Sequence, residues 1–255
     1  MIKFFRQIRY KLMSENKTGK YFKYAIGEII LVVIGILIAL NINNWNEKRK
    51  NNLLKQAYIK NLKIDLNTDL ETLEVLNEYN NEYEKSGFYF LSYLRNNLSE
   101  VDTLALTSAF VFTAYVPNFT MNSSTYNDLI QSNNINLFKD IELKRLLDNY
   151  YIRDDWLALF NNRILKTAWY DYRDELAKHH SPLLYRDLYE IQYGGNPIRL
   201  DSHKKYMIDW SKIQSNNYLK RQVEMLLAYR ISIRKRLESN IKNVESLLTF
   251  LESNK

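Results

Sequence analysis

The chain of 255 residues contains no cysteine and has only six glycines, three prolines and three histidines. Without cysteine, the protein forms no disulfide bond and uses no thiol for catalysis or for a zinc finger. Few glycines and prolines leave few tight turns, and no sustained alternation of apolar and polar residues indicates strands. The sequence therefore predicts an all-α protein.

The signatures of common enzyme classes are also missing. There is no G-x-S-x-G motif, no glycine-rich nucleotide-binding motif and no kinase signature. Glu175 and His179 would share one helix face, and His180 and His203 could join them at a metal site; a solvated helix end with unrelated histidines is the alternative. We therefore expect no catalytic residue, no metal site and no cofactor.

Charge is distributed unevenly along the chain. Residues 1–23 contain seven basic residues and one acid, Glu15, a net charge of +6, whereas residues 45–255 contain 29 basic and 27 acidic residues. The second region lacks the charge excess of a nucleic-acid-binding protein. In the first region, apolar residues recur at helical spacing, which predicts an amphipathic helix lying against anionic lipid headgroups. A disordered basic leader is the alternative.

Residues 24–44, YAIGEIILVVIGILIALNINN, form the one long apolar run. A helix of this length measures about 31 Å, which matches a hydrocarbon core of about 30 Å. We therefore predict a single transmembrane helix, with Trp45 as an interfacial anchor at its end. A cleaved signal peptide is the alternative. The long basic leader, Glu28 within the run and the poor cleavage motif at Leu37 and Ala39 favour an uncleaved signal anchor.

One stripe of the predicted span combines an acid, two small residues and an amide. At 100° per residue, Glu28, Gly35, Ala39 and Asn46 fall within about 20° of one line. Small residues allow close approach of two backbones, so we expect this stripe to contact a second copy of the helix or another membrane protein. Glu28 either serves a function inside the membrane or lies near enough to the end to reach the headgroups.

The run YAIGEIILVVIGILIALNINNWNE and the leader MIKFFRQIRYKLMSENK resemble the N-terminus of an uncharacterised family of single-span membrane proteins from Bacteroidota. Residues 124–151 resemble the second motif of that family, with Thr125-Tyr126, a following leucine and a helix ending in Tyr150-Tyr151. The family has a Ser-Gly turn where this chain has SNN at residues 132–134; asparagine tolerates the same left-handed backbone. The resemblance implies a membrane location and no assigned activity.

Orientation in the membrane follows from the flanking charges. Basic residues lie on both sides of the span, so the positive-inside rule separates the two topologies weakly. We expect an inner-membrane protein with a cytoplasmic N-terminus and residues 45–255 in the periplasm.

Beyond the membrane, the pattern predicts a long helical stalk and a helical head. Apolar residues at steps of three, four or seven mark one face of residues 46–85 and of residues 215–254. Because these helices have similar lengths, we expect an antiparallel, coiled-coil-like stalk, with residues 88–214 as the head. Gly87 is expected to kink the first helix.

Individual residues indicate helix ends and interruptions. Asp102 and Asp140 are predicted N-caps, as is Ser123 or Ser124, and Asn96-Asn97 are predicted to end the first long helix. Arg230 and Asn240 interrupt the apolar stripe of the last helix. They indicate either control of helix register or a stripe that turns outward at these positions.

Aromatic residues are abundant, with 20 tyrosines and four tryptophans. They pack in the core, or they form a contact surface with polar tips, since tyrosine suits sites that are apolar at one end and wet at the other. The residues of the possible contact surface are Tyr150, Tyr151, Trp156, Trp169, Tyr170 and Tyr172.

Taken together, these features predict a membrane-anchored interaction or scaffold protein of the cell envelope. The alternative is a receptor-like sensory domain that binds a small ligand between helices, and a third possibility is a membrane-bound enzyme. The expected partners are the bilayer with its anionic headgroups and a second copy or another membrane protein.

Overall fold

A computed structural model describes residues 7, 10, 18–113, 115, 119–152, 166–181, 183, 184, 186 and 208–253. No strand occurs among these residues, which confirms the all-α prediction. The helices are α1 (Thr18–Leu94), α2 (Thr103–Phe112), α3 (Ser124–Gln131), a 3₁₀ helix (Asn134–Leu137), α4 (Ile141–Tyr151), α5 (Lys166–Leu176), α6 (Trp210–Ser215) and α7 (Asn217–Ser253).

The chain divides into two compact units, residues 1–57 and residues 58–255. In the first unit, every side chain from Ile29 to Trp45 is exposed. By length and composition, α1 is the one helix in the described part of the chain that could cross a membrane. Its N-terminal part contains the predicted span, although α1 begins before residue 24 and continues past residue 44 without a break.

In the second unit, α1 and α7 run antiparallel. Asn80 contacts Arg230, Gly87 lies against Leu227, and Arg95 forms an ion pair with Glu224, so residue numbers fall along one helix as they rise along the other. Most of the predicted stripe of α7 is buried: Leu219, Val223, Leu226, Ile233, Leu237, Val244 and Leu251.

Two hydrophobic clusters fill this unit. One joins the C-terminal part of α1 and the N-terminal half of α7 to α2, α5 and α6, and includes Phe90, Phe110 and Tyr172. The other joins residues 58–73 of α1 and the C-terminal half of α7 to α3 and α4. The short helices therefore contact the α1–α7 pair in both clusters.

α1 continues through Gly87 without a break, so this glycine does not end the helix. A Cβ at this position would lie 2.8 Å from Leu227 Cδ2. The glycine therefore serves the close approach of α7 to α1, because any side chain would force Leu227 to move.

The predicted helix ends are largely confirmed. The Asp102 side chain accepts hydrogen bonds from the backbone N–H groups of Leu104 and Ala105, and Asp140 caps α4 in the same way. Asn96 and Asn133 adopt positive φ angles of 56° and 58°, where asparagine is better tolerated than most residues. Asn133 thus provides the left-handed turn that follows α3.

Arg230 and Asn240 are each only 2% exposed, so the stripe of α7 does not turn outward at these positions. The Arg230 guanidinium donates hydrogen bonds to the carbonyl oxygens of Phe112, Thr113 and Tyr115 at 2.5–3.2 Å. It also donates to Asn80 Oδ1. A cation placed at the C-terminal carbonyls of α2 stabilises that helix end, where the helix dipole is negative.

Candidate functional site

A carboxylate buried in the second unit, that of Asp69, accepts hydrogen bonds from two other parts of the chain. It lies on the core face of α1 between Leu66 and Leu73 and is 1% exposed. Its Oδ1 accepts hydrogen bonds from the backbone N–H and Nδ2 of Asn122 at 3.0 and 2.7 Å. Its Oδ2 accepts a hydrogen bond from the Tyr150 hydroxyl at 2.7 Å. One carboxylate thus joins α1 to α4 and to the segment that precedes α3.

Asp65, one turn earlier on α1, accepts a hydrogen bond from the backbone N–H of Thr125 at 3.3 Å. Ser123 occupies the N-cap position of α3, but its side chain makes no capping hydrogen bond. The predicted serine cap is therefore replaced by a carboxylate from another helix. Negative charge at a helix N-terminus is stabilising, so Asp65 helps to fix α3 against α1.

Tyrosines surround these carboxylates. Tyr126 donates a hydrogen bond to Asp148 Oδ1 at 3.1 Å, and its ring stacks on Tyr151 with centroids 4.4 Å apart. The Tyr151 hydroxyl is buried and has no hydrogen-bond partner in the described part of the chain. We call Asp65, Asp69, Tyr126, Asp148, Tyr150 and Tyr151 the polar centre.

Burial raises the pKa values of three groups of the polar centre, Asp69, Tyr126 and Tyr151, which favours their neutral forms. It raises the pKa of Asp69 despite the opposing hydrogen bonds from Tyr150 and Asn122. It also raises the pKa of Tyr126 to about 12, with a further contribution from Asp148. The pKa of Tyr151 is raised by burial and then by the charges of Asp69 and Asp65. At neutral pH the phenols of Tyr126 and Tyr151 are therefore protonated.

A second tyrosine–carboxylate contact lies nearer the start of this unit. Tyr58 donates a hydrogen bond to Asp128 Oδ2 at 2.6 Å and accepts one from Asn134 Nδ2 at 2.8 Å. This contact ties α1 to α3 and to the 3₁₀ helix. These hydrogen bonds join one helix to another, so the arrangement positions the helices.

The aromatic residues predicted to form one contact surface lie in different environments. Tyr150 and Tyr172 are fully buried, in different hydrophobic clusters. Trp169 and Tyr170 contact each other, and the Arg173 guanidinium lies 4.4 Å and 5.2 Å from their ring centroids. Tyr151 belongs to the polar centre, and Trp156 lies outside the described residues.

The predicted histidine group is brought together only in part. His179 Nε2 lies 3.5 Å from Glu175, whose carboxylate also accepts hydrogen bonds from Lys178 and Asn216. His180 packs edge-on against Phe110, and burial lowers its pKa. His203 lies outside the described residues. Among the residues that the structure describes, no group of three or more potential metal ligands occurs.

The stripe predicted for the membrane helix is open in the single chain. No atom beyond the helix's own nearby backbone lies within 4 Å of a Cβ placed on Gly35. Ala39 is exposed, and Glu28 and Asn46 are partly buried. Trp45 is 65% exposed, and the Arg49 guanidinium lies 5.8 Å from its ring centroid. The stripe is thus available to a neighbouring helix.

The sequence interpretation missed Asp69 and misjudged Arg230. Asp69 falls in register with the buried residues Leu62, Leu66 and Leu73, at steps of four, three and four. A charged residue within an apolar stripe indicates a buried polar contact, but this pattern does not identify the contacting residue. The partners of Asp69 lie 53 and 81 residues away.

Similarity to a known protein family covers the stretch of chain that contains Asp69 and its partners. No curated protein and no solved structure matches the chain. A model for a family of unknown function, DUF6090, matches residues 28–171. These residues include most of the apolar run and the whole polar centre. Because the match covers more than half of its 255 residues, the chain belongs to the DUF6090 family of unknown function.

Proposed function

We propose that this protein is a membrane-anchored helical scaffold that assembles with partners in the cell envelope. The continuous exposure of the apolar side chains from Ile29 to Leu40 is the observation that carries the proposal. Burying apolar surface contributes about 25 cal/mol per Å², so a run of this length is strongly driven out of water. A run of about 20 apolar residues is long enough for a bilayer to cover all its sides.

The ends of the run support a bilayer as its surroundings. Trp45 and Arg49 are exposed together at the C-terminal end, and Lys48 and Lys50 are exposed beside them. Tryptophan is enriched at the headgroup level on both sides of a membrane, and lysine and arginine near the end of a span can reach the headgroups. We propose an inner-membrane anchor with a cytoplasmic N-terminus and a periplasmic C-terminal domain.

Assembly, rather than catalysis, is the role that the second unit supports. The polar centre uses its carboxylates and phenols to hold helices in place. A scaffold needs this rigidity, because preformed surfaces bind with a smaller entropic cost.

A receptor-like domain is the second candidate, and one observation favours it. An open groove of about 680 Å³ lies between α1 and α7 and is lined by charged side chains and Phe88. This volume lies within the range of small-molecule sites, although such sites are usually more enclosed.

Substitution of Gly35 by leucine tests assembly through the membrane helix. Small residues at a helix interface allow close packing, so Gly35→Leu is expected to reduce the cross-linked oligomer of full-length protein in membranes by about tenfold, equivalent to about 1.4 kcal/mol. Gly27→Leu is the matched control, because Gly27 lies about 80° away on the helix and is likewise open. Glu28→Leu is expected to leave the oligomer intact. Equal oligomer in the two glycine variants would refute packing through this stripe.

A further inference from the structure

Within the second unit, α1 exposes its large apolar side chains along one side only. Between residues 58 and 87 these side chains are Ile64, Val75 and Tyr79, which are 56%, 48% and 46% exposed. At 100° per residue the three lie within about 60° of one another, together with exposed Thr68. We call these four residues the outer stripe.

The outer stripe lies on the side of α1 opposite to the core of this unit. Ile64 is about 160° around the helix from buried Leu66, and Val75 is about 160° from buried Leu73. The buried side packs against α3, α4 and α7. The helices that contact α1 here therefore leave the outer stripe exposed.

The outer stripe continues a repeat of eleven residues in the sequence. Aliphatic residues recur at five consecutive steps of this length: Leu31, Ile42, Leu53, Ile64 and Val75. Eleven residues make almost three turns of an α-helix, so residues at this spacing stay on one side of it. A stripe that keeps this period over many turns is typical of helices that wind around each other in a right-handed coiled coil. The repeat therefore indicates that the partner of the outer stripe is another helix.

The two edges of the outer stripe differ in charge. A residue seven positions after an aliphatic position lies about 20° to one side of it, and a residue four positions after lies about 40° to the other side. The first edge has the exposed charged residues Lys60, Glu71 and Glu82, whereas the second has the uncharged Thr68 and Tyr79. The apolar surface is thus a narrow strip beside a row of charges, which suits a helix better than a bilayer.

We propose that the outer stripe binds the outer stripe of a second copy of this chain, in a parallel pair with a twofold axis along the helices. Such an axis keeps each residue at its own level and places opposite edges of the two stripes side by side. The charged edge of one copy then lies beside Thr68 and Tyr79 of the other, so like charges do not face each other. The Tyr79 hydroxyl can donate a hydrogen bond to a carboxylate of that edge.

A second copy meets the requirements that the repeat sets for the partner. The partner is a long helix with the same period, and α1 itself is a helix of 77 residues with this period. α7 has 37 residues, and its own apolar stripe is buried within the unit. Two identical stripes bring Ile64 against Ile64 and Val75 against Val75, which removes these side chains from water. This inference rests on the proposed assembly role and extends it to residues outside the predicted span.

Single-cysteine variants test the pairing directly, since the natural chain has no cysteine. Membranes that contain full-length Ile64→Cys, Val75→Cys or Glu74→Cys are mildly oxidised, and disulfide-linked dimers are measured. Glu74 is the matched control, because it is exposed but lies about 100° from Val75. A disulfide needs Cβ atoms about 4 Å apart, so we expect at least about ten times more dimer from each stripe variant than from Glu74→Cys. Equal yields from the three variants, or a dimer from only one of the two stripe positions, would overturn the proposal.

A charge placed within the outer stripe provides the second measurement. In the Ile64→Cys chain, Val75→Lys is expected to reduce the disulfide-linked dimer about tenfold, because two ammonium groups would enter the apolar contact. Glu74→Lys in the same chain changes the net charge by more, yet it is expected to leave the yield unchanged. Equal yields from the two lysine variants would show that the stripe does not bind a second copy. If the chain remains in the membrane fraction in that case, only the interface is wrong; if it is found in the soluble fraction, the proposed anchoring is wrong.

Discussion

Replacing Asp69 by alanine is expected to lower the free energy of unfolding of the full-length protein by about 3 kcal/mol or more. The Asn122 backbone N–H and the Tyr150 hydroxyl would lose their acceptor, and the site is 1% exposed, so water does not readily replace it. Each buried donor left without a partner costs about 1–3 kcal/mol. Chemical unfolding in detergent, followed by circular dichroism, measures the loss.

Asp69→Asn is the matched control. Its Oδ1 can accept the hydrogen bonds from Asn122, and its Nδ2 can donate to the Tyr150 oxygen. The Tyr150 O–H still loses its acceptor, so this variant is expected to lose about 1–3 kcal/mol, less than Asp69→Ala. If Asp69→Ala were as stable as Asp69→Asn, the polar centre would not be fixing α3 and α4.

Because the pKa of Asp69 is raised, the natural protein and the Asp69→Asn variant should differ in how their stability depends on pH. The folded state holds the proton to a higher pH than the unfolded state. The stability contributed by Asp69 therefore falls as the pH rises from the usual pKa of aspartate to the raised pKa of Asp69. The asparagine variant lacks this slope, so the difference in stability between the natural protein and this variant should narrow as pH rises across that interval.

Replacing Arg230 by methionine is the second substitution with a large expected effect. Methionine fills similar space but leaves Asn80 Oδ1 and the carbonyls at the end of α2 without their donor. Burial lowers the pKa of Arg230 to about 10, so the guanidinium is charged at neutral pH and serves as a strong donor. We expect a loss of about 3 kcal/mol or more.

The destabilisation caused by Arg230→Met should be greatest in α2. Hydrogen exchange is expected to accelerate first in α2, because its C-terminal carbonyls are held by Arg230. Arg221→Met, on the exposed side of the same helix, is the matched control and should change stability by no more than about 0.5 kcal/mol. Unchanged protection of α2 in Arg230→Met would contradict the role given to this side chain.

Local signals in the sequence predicted much of the fold. The caps at Asp102 and Asp140 and the left-handed turn at Asn133 depend on neighbouring residues, and the structure confirms them. The apolar stripe of α7 predicted its buried residues because helical periodicity alone places them on one side. The apolar run within α1 was equally clear, since its length and composition can be read directly.

Features that depend on distant partners could not be predicted in the same way. Asp69 is stabilised by Asn122 and Tyr150, which follow it by 53 and 81 residues. Arg230 contacts Asn80 150 residues earlier, and Gly87 is required because Leu227 approaches it. In each case a polar or small residue has a tertiary role that no local pattern specifies.

Function is harder to predict from the sequence than the fold, because it too depends on contacts between residues that are distant in sequence. The polar centre contains residue types that act in catalysis elsewhere, but their contacts join helices. The role of these residues can be inferred only once the distances between Asp69, Asn122 and Tyr150 are known. The candidate membrane helix, in contrast, can be recognised from the length and composition of one continuous run of residues.

The most direct test of membrane anchoring is the labelling of single cysteines on the two sides of the predicted span. Gln7→Cys and Ser99→Cys are both at exposed positions, and no natural cysteine interferes. Cells permeable only at the outer membrane are treated with a membrane-impermeant maleimide, before and after lysis. We predict that Ser99→Cys is labelled before lysis and Gln7→Cys only after it. Labelling of both positions before lysis, or of Ser99→Cys only after lysis, would contradict an anchor with a cytoplasmic N-terminus and a periplasmic domain.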